Sequence, residues 1–150
     1  MTAECLCFRA RRVSRALTRM YDEALRPLGI QATQLTLLNA VTMTAGRGTV
    51  GRLAEILAMD QTTLSRNLRP LEKAKLVRID RLPNDRRVRV ARLTPAGERL
   101  VEAALPLWTE AHARVVTTLG TDAAAELRER FDAVVTASPN PHQPRSPERP

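Results

Sequence analysis

Residues 48–97 constrain the fold more than any other stretch of this chain. A helical pattern at 49–58 is followed by a turn at Met59-Asp60 and a second helical pattern at 61–75. Two strand-like runs come next, 76–80 and 88–93, separated by the polar, basic loop Arg81-Leu82-Pro83-Asn84-Asp85-Arg86-Arg87. Two short helices and then a basic hairpin predict a helix–turn–helix with a two-stranded wing, a shape suited to gripping DNA.

Charge is concentrated in the same place. Residues 47–99 hold 13 Lys and Arg against 6 Asp and Glu, which is +7 of the chain's formal +8. A basic segment of this kind attracts phosphate by displacing condensed counterions. Within the second helix, Leu64, Leu68 and Leu71 recur on one face. Projected at about 100° per residue, Thr62, Arg66 and Arg69 point the opposite way, with Thr63 and Ser65 on the flanks. Hydrogen-bonding and cationic groups alone occupy that face, which makes these five residues candidates for DNA contact. Pro70 removes one backbone bond at a cost of about 3 kcal/mol. Leu68, Leu71 and Lys75 keep the helical register past it, so the helix is expected to run to about Lys75.

The flanking segments read as helices. Apolar residues Leu6, Ala10, Val13, Leu17, Met20 and Ala24 form a stripe over 6–26, with Arg9, Arg11, Arg12, Arg15 and Arg19 largely outside it. Pro27 and Gly29 end this helix. Another covers about 32–44, burying Leu35, Leu38 and Val41; Gln31 is a weak cap for its start. Thr94-Pro95 is a strong helix start, a capping hydroxyl followed by proline at the first helical position. The stripe Leu100, Ala104, Trp108, Ala111, Val115 and Leu119 follows, with Pro106 expected to bend it. Gly120 closes that helix, and Thr121-Asp122 opens a last one carrying Leu127, Phe131 and Val134. The tail 138–150 has five prolines in thirteen residues and is expected to be disordered.

Aromatics make up 3% of the chain, so the core must be built from Leu, Val and Ala, which favours helices. The expected class is mainly α with a small antiparallel β-wing. Residues 1–137 form one domain: a lobe at 32–93 flanked by helices at 6–28 and 94–137. Those flanking helices carry more apolar surface than a small lobe can cover, which predicts a homodimer with interlocked terminal helices. No apolar run approaches the roughly 20 residues of a membrane span. The N-terminus lacks the apolar region of a signal peptide, so a cytoplasmic location is expected. No Gly-rich phosphate loop, zincin motif or nucleophile elbow is present, which argues against an enzyme or a bound cofactor. Cys5 and Cys7, with His112 and His142, are too few and too scattered for a zinc site. Cys5 and Cys7 would point to different sides of a helix, against a mutual disulfide. Tyr21 and Trp108 are candidates to line an effector pocket, set against ordinary core packing. His112, one turn past Trp108, reads as a helix-surface residue.

The pattern Leu53-Ala54-Glu55, Asp60-Gln61-Thr62-Thr63-Leu64-Ser65-Arg66, Leu71-Glu72-Lys73, Leu76-Val77, Asp85-Arg86-Arg87 and Leu93-Thr94-Pro95-Ala96-Gly97 resembles the MarR family of bacterial transcription regulators. The resemblance covers roughly residues 6–136. It implies a homodimeric winged helix–turn–helix protein that binds pseudopalindromic operators on double-stranded DNA. Members usually repress, and many are released by a small aromatic effector or by oxidation. Carried over, Thr62, Thr63, Ser65 and Arg66 reach the major groove, Arg86 or Arg87 enters the minor groove, and Asp85 orients the wing arginine. Leu6-Cys7-Phe8, with Tyr21 fourteen residues on, is similar to the organic-hydroperoxide-sensing branch, where the cysteine is the sensor. That branch has tyrosines where this chain has Arg11 and Ala32.

The expectation is therefore a DNA-binding repressor released by a small molecule. Two alternatives stand beside it: a repressor that senses oxidants through Cys7, with Cys5 as a lesser candidate, and a winged-helix adaptor that has lost DNA binding. The local charge excess argues against the adaptor.

Overall fold

The computed structural model describes residues 4–138. Helix α1 (Leu6–Leu25) runs into one 3-10 turn, Arg26–Leu28, closed by Gly29 at φ 67°. Then follow α2 (Ala32–Met43), α3 (Val50–Ile56) and α4 (Gln61–Lys73). Strands β1 (Val77–Arg81) and β2 (Arg89–Leu93) form the wing, and α5 (Pro95–Leu119) and α6 (Thr121–Ala137) complete the chain. The class is mainly α with a two-stranded antiparallel sheet, as expected.

The helix–turn–helix is made by how its two helices end. After α3, Met59 N–H donates to the Ala54 carbonyl and Ala58 N–H to that of Glu55. This is a Schellman closure, and it puts Ala58 in the left-handed region at φ 49°. The α4 terminus repeats it: Leu76 N–H bonds to Leu71 and Lys75 N–H to Glu72, with Lys75 at φ 58°. Lys75 therefore turns the chain toward β1 and lies outside the helix, two residues short of the expected end. Helix α4 continues through Pro70, which is exposed, and α5 continues through Pro106.

The start of α2 is better secured than its sequence suggested. Gln31 N–H donates to Gln34 Oε1 at 2.9 Å, and Asp22 of α1 accepts Ala32 N–H at 2.6 Å. The second cap comes from another helix and ties α1 to α2. Each strand of the wing begins one residue later than expected. The register pairs Val77 with Leu93 and Arg81 with Arg89. Residues 48 and 49 add a short third edge: Thr49 bridges Val90, and Ala91 N–H donates to the Gly48 carbonyl.

Two cores hold the molecule. The larger joins Leu37, Leu38 and Val41 of α2, Leu53 of α3, Leu64, Leu68 and Leu71 of α4, and Val77 and Ala91 of the wing. The smaller joins Leu25, Ile30, Leu35 and Ala104. Leu100 and Val101 of α5 pack against both. Fully burying one Leu contributes about 1.5–3 kcal/mol, so α4 is fastened by its three leucines and leaves its polar face outward.

The stripe expected on α1 is not buried within one chain. Leu6 is 80% exposed and Val13 47%. On α6, Phe131 is 52% and Val134 67% exposed, and Ala124 is the one buried residue of that helix. Among the described residues nothing covers these apolar faces, because the lobe is too small to reach them. The proline-rich tail lies, from residue 139 onward, outside the described residues.

Candidate DNA-binding surface

Helix α4 begins on a strong cap. Asp60 accepts the Thr63 N–H at 2.7 Å through Oδ1 and the Thr63 hydroxyl at 2.5 Å through Oδ2. The Thr63 side chain is thus engaged in starting the helix, and it is half-buried. Thr62, Arg66 and Arg69 are exposed on the outer face. Among the described residues, neither Arg66 nor Arg69 has an ion-pair partner, so both guanidinium groups are available to an outside anion. Other arginines nearby are already paired: Arg52 with Glu55 at 2.9 Å, and Arg78 and Arg92 with Asp80 at 2.9 and 3.6 Å.

The wing loop spans 82–88. Asp85 shapes it from two sides: its carbonyl accepts Val88 N–H at 3.0 Å, and its Oδ1 accepts Arg87 N–H at 2.9 Å. The Arg87 guanidinium stands 3.6 Å from the same oxygen, so Asp85 holds both the turn and that side chain. Arg86 is exposed and without such a partner among the described residues.

Ser65 is placed differently from the rest of the set. It is half-buried, and its Oγ accepts a 2.7 Å hydrogen bond from Nη2 of Arg89, the first residue of β2. Sequence reasoning missed Arg89, because a bond between residues 24 apart leaves no local spacing to read. The available signal was one more arginine among Arg86, Arg87 and Arg92, at the second position of the expected strand.

A second site lies where α1, α2 and α5 meet. Tyr21, Leu25, Ala32, Thr36, Asn39 and Trp108 line a cavity of about 150 Å³. Tyr21 and Trp108 stack with centroids 6.3 Å apart, and Trp108 stacks on His112 at 4.7 Å. Tyr21 Oη lies 3.1 Å from His112 Nδ1. His112 is therefore half-buried in an aromatic stack, contrary to the surface position expected for it. Burial raises the Tyr21 phenol above its usual value, so it stays a neutral hydroxyl. Ala32 leaves open a space that a larger side chain at that position would occupy.

Cys5 caps α1 and Cys7 lies in its first turn; both are free thiols and exposed within the chain. Among the described residues, no three His, Cys, Asp or Glu side chains are grouped to hold a metal. None of the described helices is long and apolar enough to cross a membrane.

With this geometry in view, the comparisons are specific. A model of the MarR family matches residues 28–88. Among curated proteins, none matches. The solved structure of the M. tuberculosis transcriptional regulator MosR in complex with DNA is similar over 89% of this chain and 96% of that one, at 32% identity and a TM-score of 0.81. A mutant of E. coli MarR complexed with operator DNA is similar at 28% identity and a TM-score of 0.75, over 83% of this chain and 89% of that one. CouR from Rhodococcus jostii, bound to p-coumaroyl-CoA, shares the fold at 20% identity and a TM-score of 0.77, over 92% of this chain and 96% of that one.

Proposed function

The chain belongs to the MarR family of DNA-binding transcription regulators, and from that premise we propose that it is a homodimeric repressor that a small aromatic effector releases from its operator. The observation that carries this reading is the outer face of α4, where Arg66 and Arg69 stand exposed and unpaired beside Thr62. Salt bridges elsewhere in the lobe take up Arg52, Arg78 and Arg92 and leave this face cationic. The solved complexes of M. tuberculosis MosR with DNA and of E. coli MarR with operator DNA support DNA binding by this fold. Major-groove contact falls to Thr62, Thr63, Ser65, Arg66 and Arg69; minor-groove contact falls to Arg86 or Arg87, with Asp85 orienting the wing.

The cavity supports the effector half of the reading. At about 150 Å³ it suits a single aromatic ring. Tyr21 and Trp108 offer ring faces, and Thr36 and Asn39 offer hydrogen bonds to a phenol or carboxylate. Helix α2 lines this cavity with one side and buries Leu37, Leu38 and Val41 against α4's core with the other. A ligand that fits better when α2 has shifted therefore biases the helix–turn–helix away from its DNA-bound position.

The test is a gel shift on the whole protein, with a random duplex and with a duplex selected from a random library. Selective binding that weakens with salt and is released by benzoate or phenol supports the reading. Salt-insensitive or absent binding overturns the repressor in favour of an adaptor. A second reading, oxidant sensing through Cys7, is favoured by one observation: the thiol is exposed within the chain, so an oxidant has access to it. Release by cumene hydroperoxide that Cys7→Ser abolishes selects this reading over the small-molecule one.

A further inference from the structure

We infer that Arg89 is a positioning residue for DNA readout: it holds the Ser65 hydroxyl and biases it toward donating its proton to an acceptor on DNA. This rests on the DNA-binding reading above.

Serine oxygen carries one proton and two lone pairs. Arg89 Nη2 occupies one lone pair at 2.7 Å. The proton has no internal acceptor among the described residues. Five other helical hydroxyls spend theirs on the carbonyl four residues back: Thr18 on Ser14, Thr36 on Ala32, Thr42 on Leu38, Thr109 on Leu105 and Thr118 on Arg114, while Thr63 donates to Asp60. Ser65 does not, and its single bond runs to the wing. A hydroxyl that accepts from a cation becomes a stronger donor, because the two bonds polarise one another. Its proton is left for an outside acceptor.

Arg89 is well anchored for this task. It is half-buried, and the next two residues, Val90 and Ala91, are buried in the sheet. Val90 bridges Thr49, and Ala91 bonds to Gly48. The guanidinium therefore projects from the fixed end of β2, not from the free loop 82–88. Arg81 stands directly opposite in the register, and like charges facing each other across a strand pair are destabilising. Engagement with Ser65 gives Arg89 an oxygen partner in that setting.

The chemistry predicts what Ser65 reads. A serine free to rotate pairs with donors or acceptors on base edges. A serine with one lone pair taken and its proton free favours acceptors: purine N7, guanine O6, thymine O4, or a phosphate oxygen. Adenine N6 and cytosine N4 amino groups, which donate, can reach only the one lone pair that Arg89 leaves and are disfavoured.

The experiment is a double-mutant cycle on the whole protein, using a duplex selected by the wild type from a random library. Ser65→Ala weakens binding to that duplex by about five- to tenfold, the worth of one hydrogen bond. Arg89→Met gives a similar loss with an unchanged salt slope, and Ser65→Ala with Arg89→Met together is no worse than either alone. Replacing single purines by their 7-deaza forms, single guanines by 2-aminopurine, single thymines by 5-methyl-2-pyrimidinone, and single phosphates by methylphosphonates removes N7, O6, O4 and phosphate oxygen in turn and identifies the acceptor as base or backbone. One such substitution should cost the wild type its five- to tenfold and cost Ser65→Ala nothing. Additive losses, with a salt slope that falls by about one unit in Arg89→Met, overturn the inference and make Arg89 a phosphate contact. No effect from Ser65→Ala, whose fold is checked by its melting curve, also overturns it. Wild-type protein that binds no duplex at all defeats the DNA-binding reading itself, and the inference with it.

Discussion

Gly97 lies against the Leu76 carbonyl so closely that a Cβ on Gly97 would fall 2.1 Å from the Leu76 oxygen. The contact explains the motif Leu93-Thr94-Pro95-Ala96-Gly97. Thr94 Oγ1 donates to the Lys75 carbonyl at 2.6 Å, Thr94 N–H donates to Leu76 at 3.0 Å, and Gly97 N–H donates back to Thr94 Oγ1 at 3.1 Å. The start of α5 is thus clamped onto the turn that ends α4. Gly97→Ala should lower stability by about 1–3 kcal/mol, the usual cost of forcing extra atoms into a packed site. Urea unfolding measures this; a loss below about 0.5 kcal/mol, ordinary for an unconstrained site, would mean that the clamp yields.

A second prediction comes from the turn between α3 and α4. Ala58 holds φ 49°, a conformation that costs a non-glycine residue about 1–2 kcal/mol. Glycine there removes the penalty, while the added freedom of the unfolded chain returns about 0.4–1 kcal/mol. Ala58→Gly should therefore stabilise the protein by about 0.5–1 kcal/mol and leave operator affinity unchanged. A thermal melt that moves downward contradicts the account of this turn.

These turns also show which parts of the fold were legible in the sequence. Periodicity located the six described α-helices, and Thr94 announced its cap because a capping oxygen acts within three residues of itself; Asp60 was read only as part of a turn, though it caps α4 in the same way. The end of α4 was not legible, since Lys75 gives no sign of a left-handed conformation where glycine would have. The start of α2 looked weak because its second cap, Asp22, sits on another helix. His112 read as a surface residue because its partner Tyr21 is 91 positions away. In the candidate site, charge and helical face were readable at Thr62, Arg66 and Arg69. The Arg89–Ser65 bond was not, because only the sheet register brings those residues together.

For groove readout, Arg66→Ala should weaken binding to a selected duplex by about 1–3 kcal/mol and binding to random DNA much less. Arg66 is exposed on α4 with no internal ion pair among the described residues, so removing it leaves no buried charge behind. Its effect should appear in affinity, with the melting temperature unmoved. Equal losses on both duplexes would reduce Arg66 to a phosphate contact.

For the wing, Arg86→Ala with Arg87→Ala should make the salt dependence shallower by roughly one unit per lost phosphate contact. Asp85→Asn tests the turn separately. The Arg87 N–H keeps an oxygen to bond to, but the ion pair at 3.6 Å is lost. Affinity should then fall by less than in the double arginine variant. Titrating binding from low to high salt measures both, and an unchanged slope in the arginine variant takes the wing out of the interface.

The last prediction concerns assembly. Phe131 and Val134 on α6, with Leu6 and Val13 on α1, expose large apolar side chains that the described residues leave uncovered. A pseudopalindromic operator presents two half-sites, and linking two lobes raises affinity by about 10²–10⁴ over one. Dimerisation through these faces, as proposed, would therefore control DNA binding as strongly as the contacts on α4. Phe131→Asp with Val134→Asp places two charges in the proposed interface. Neither residue belongs to the buried cores of the single chain, so helical content by circular dichroism should be preserved. Sedimentation equilibrium should find the wild type dimeric and the variant monomeric at micromolar concentration. The variant should lose operator binding far beyond the loss from Arg66→Ala. A variant that stays dimeric would move the interface to another face and remove the interlocked terminal helices from the account.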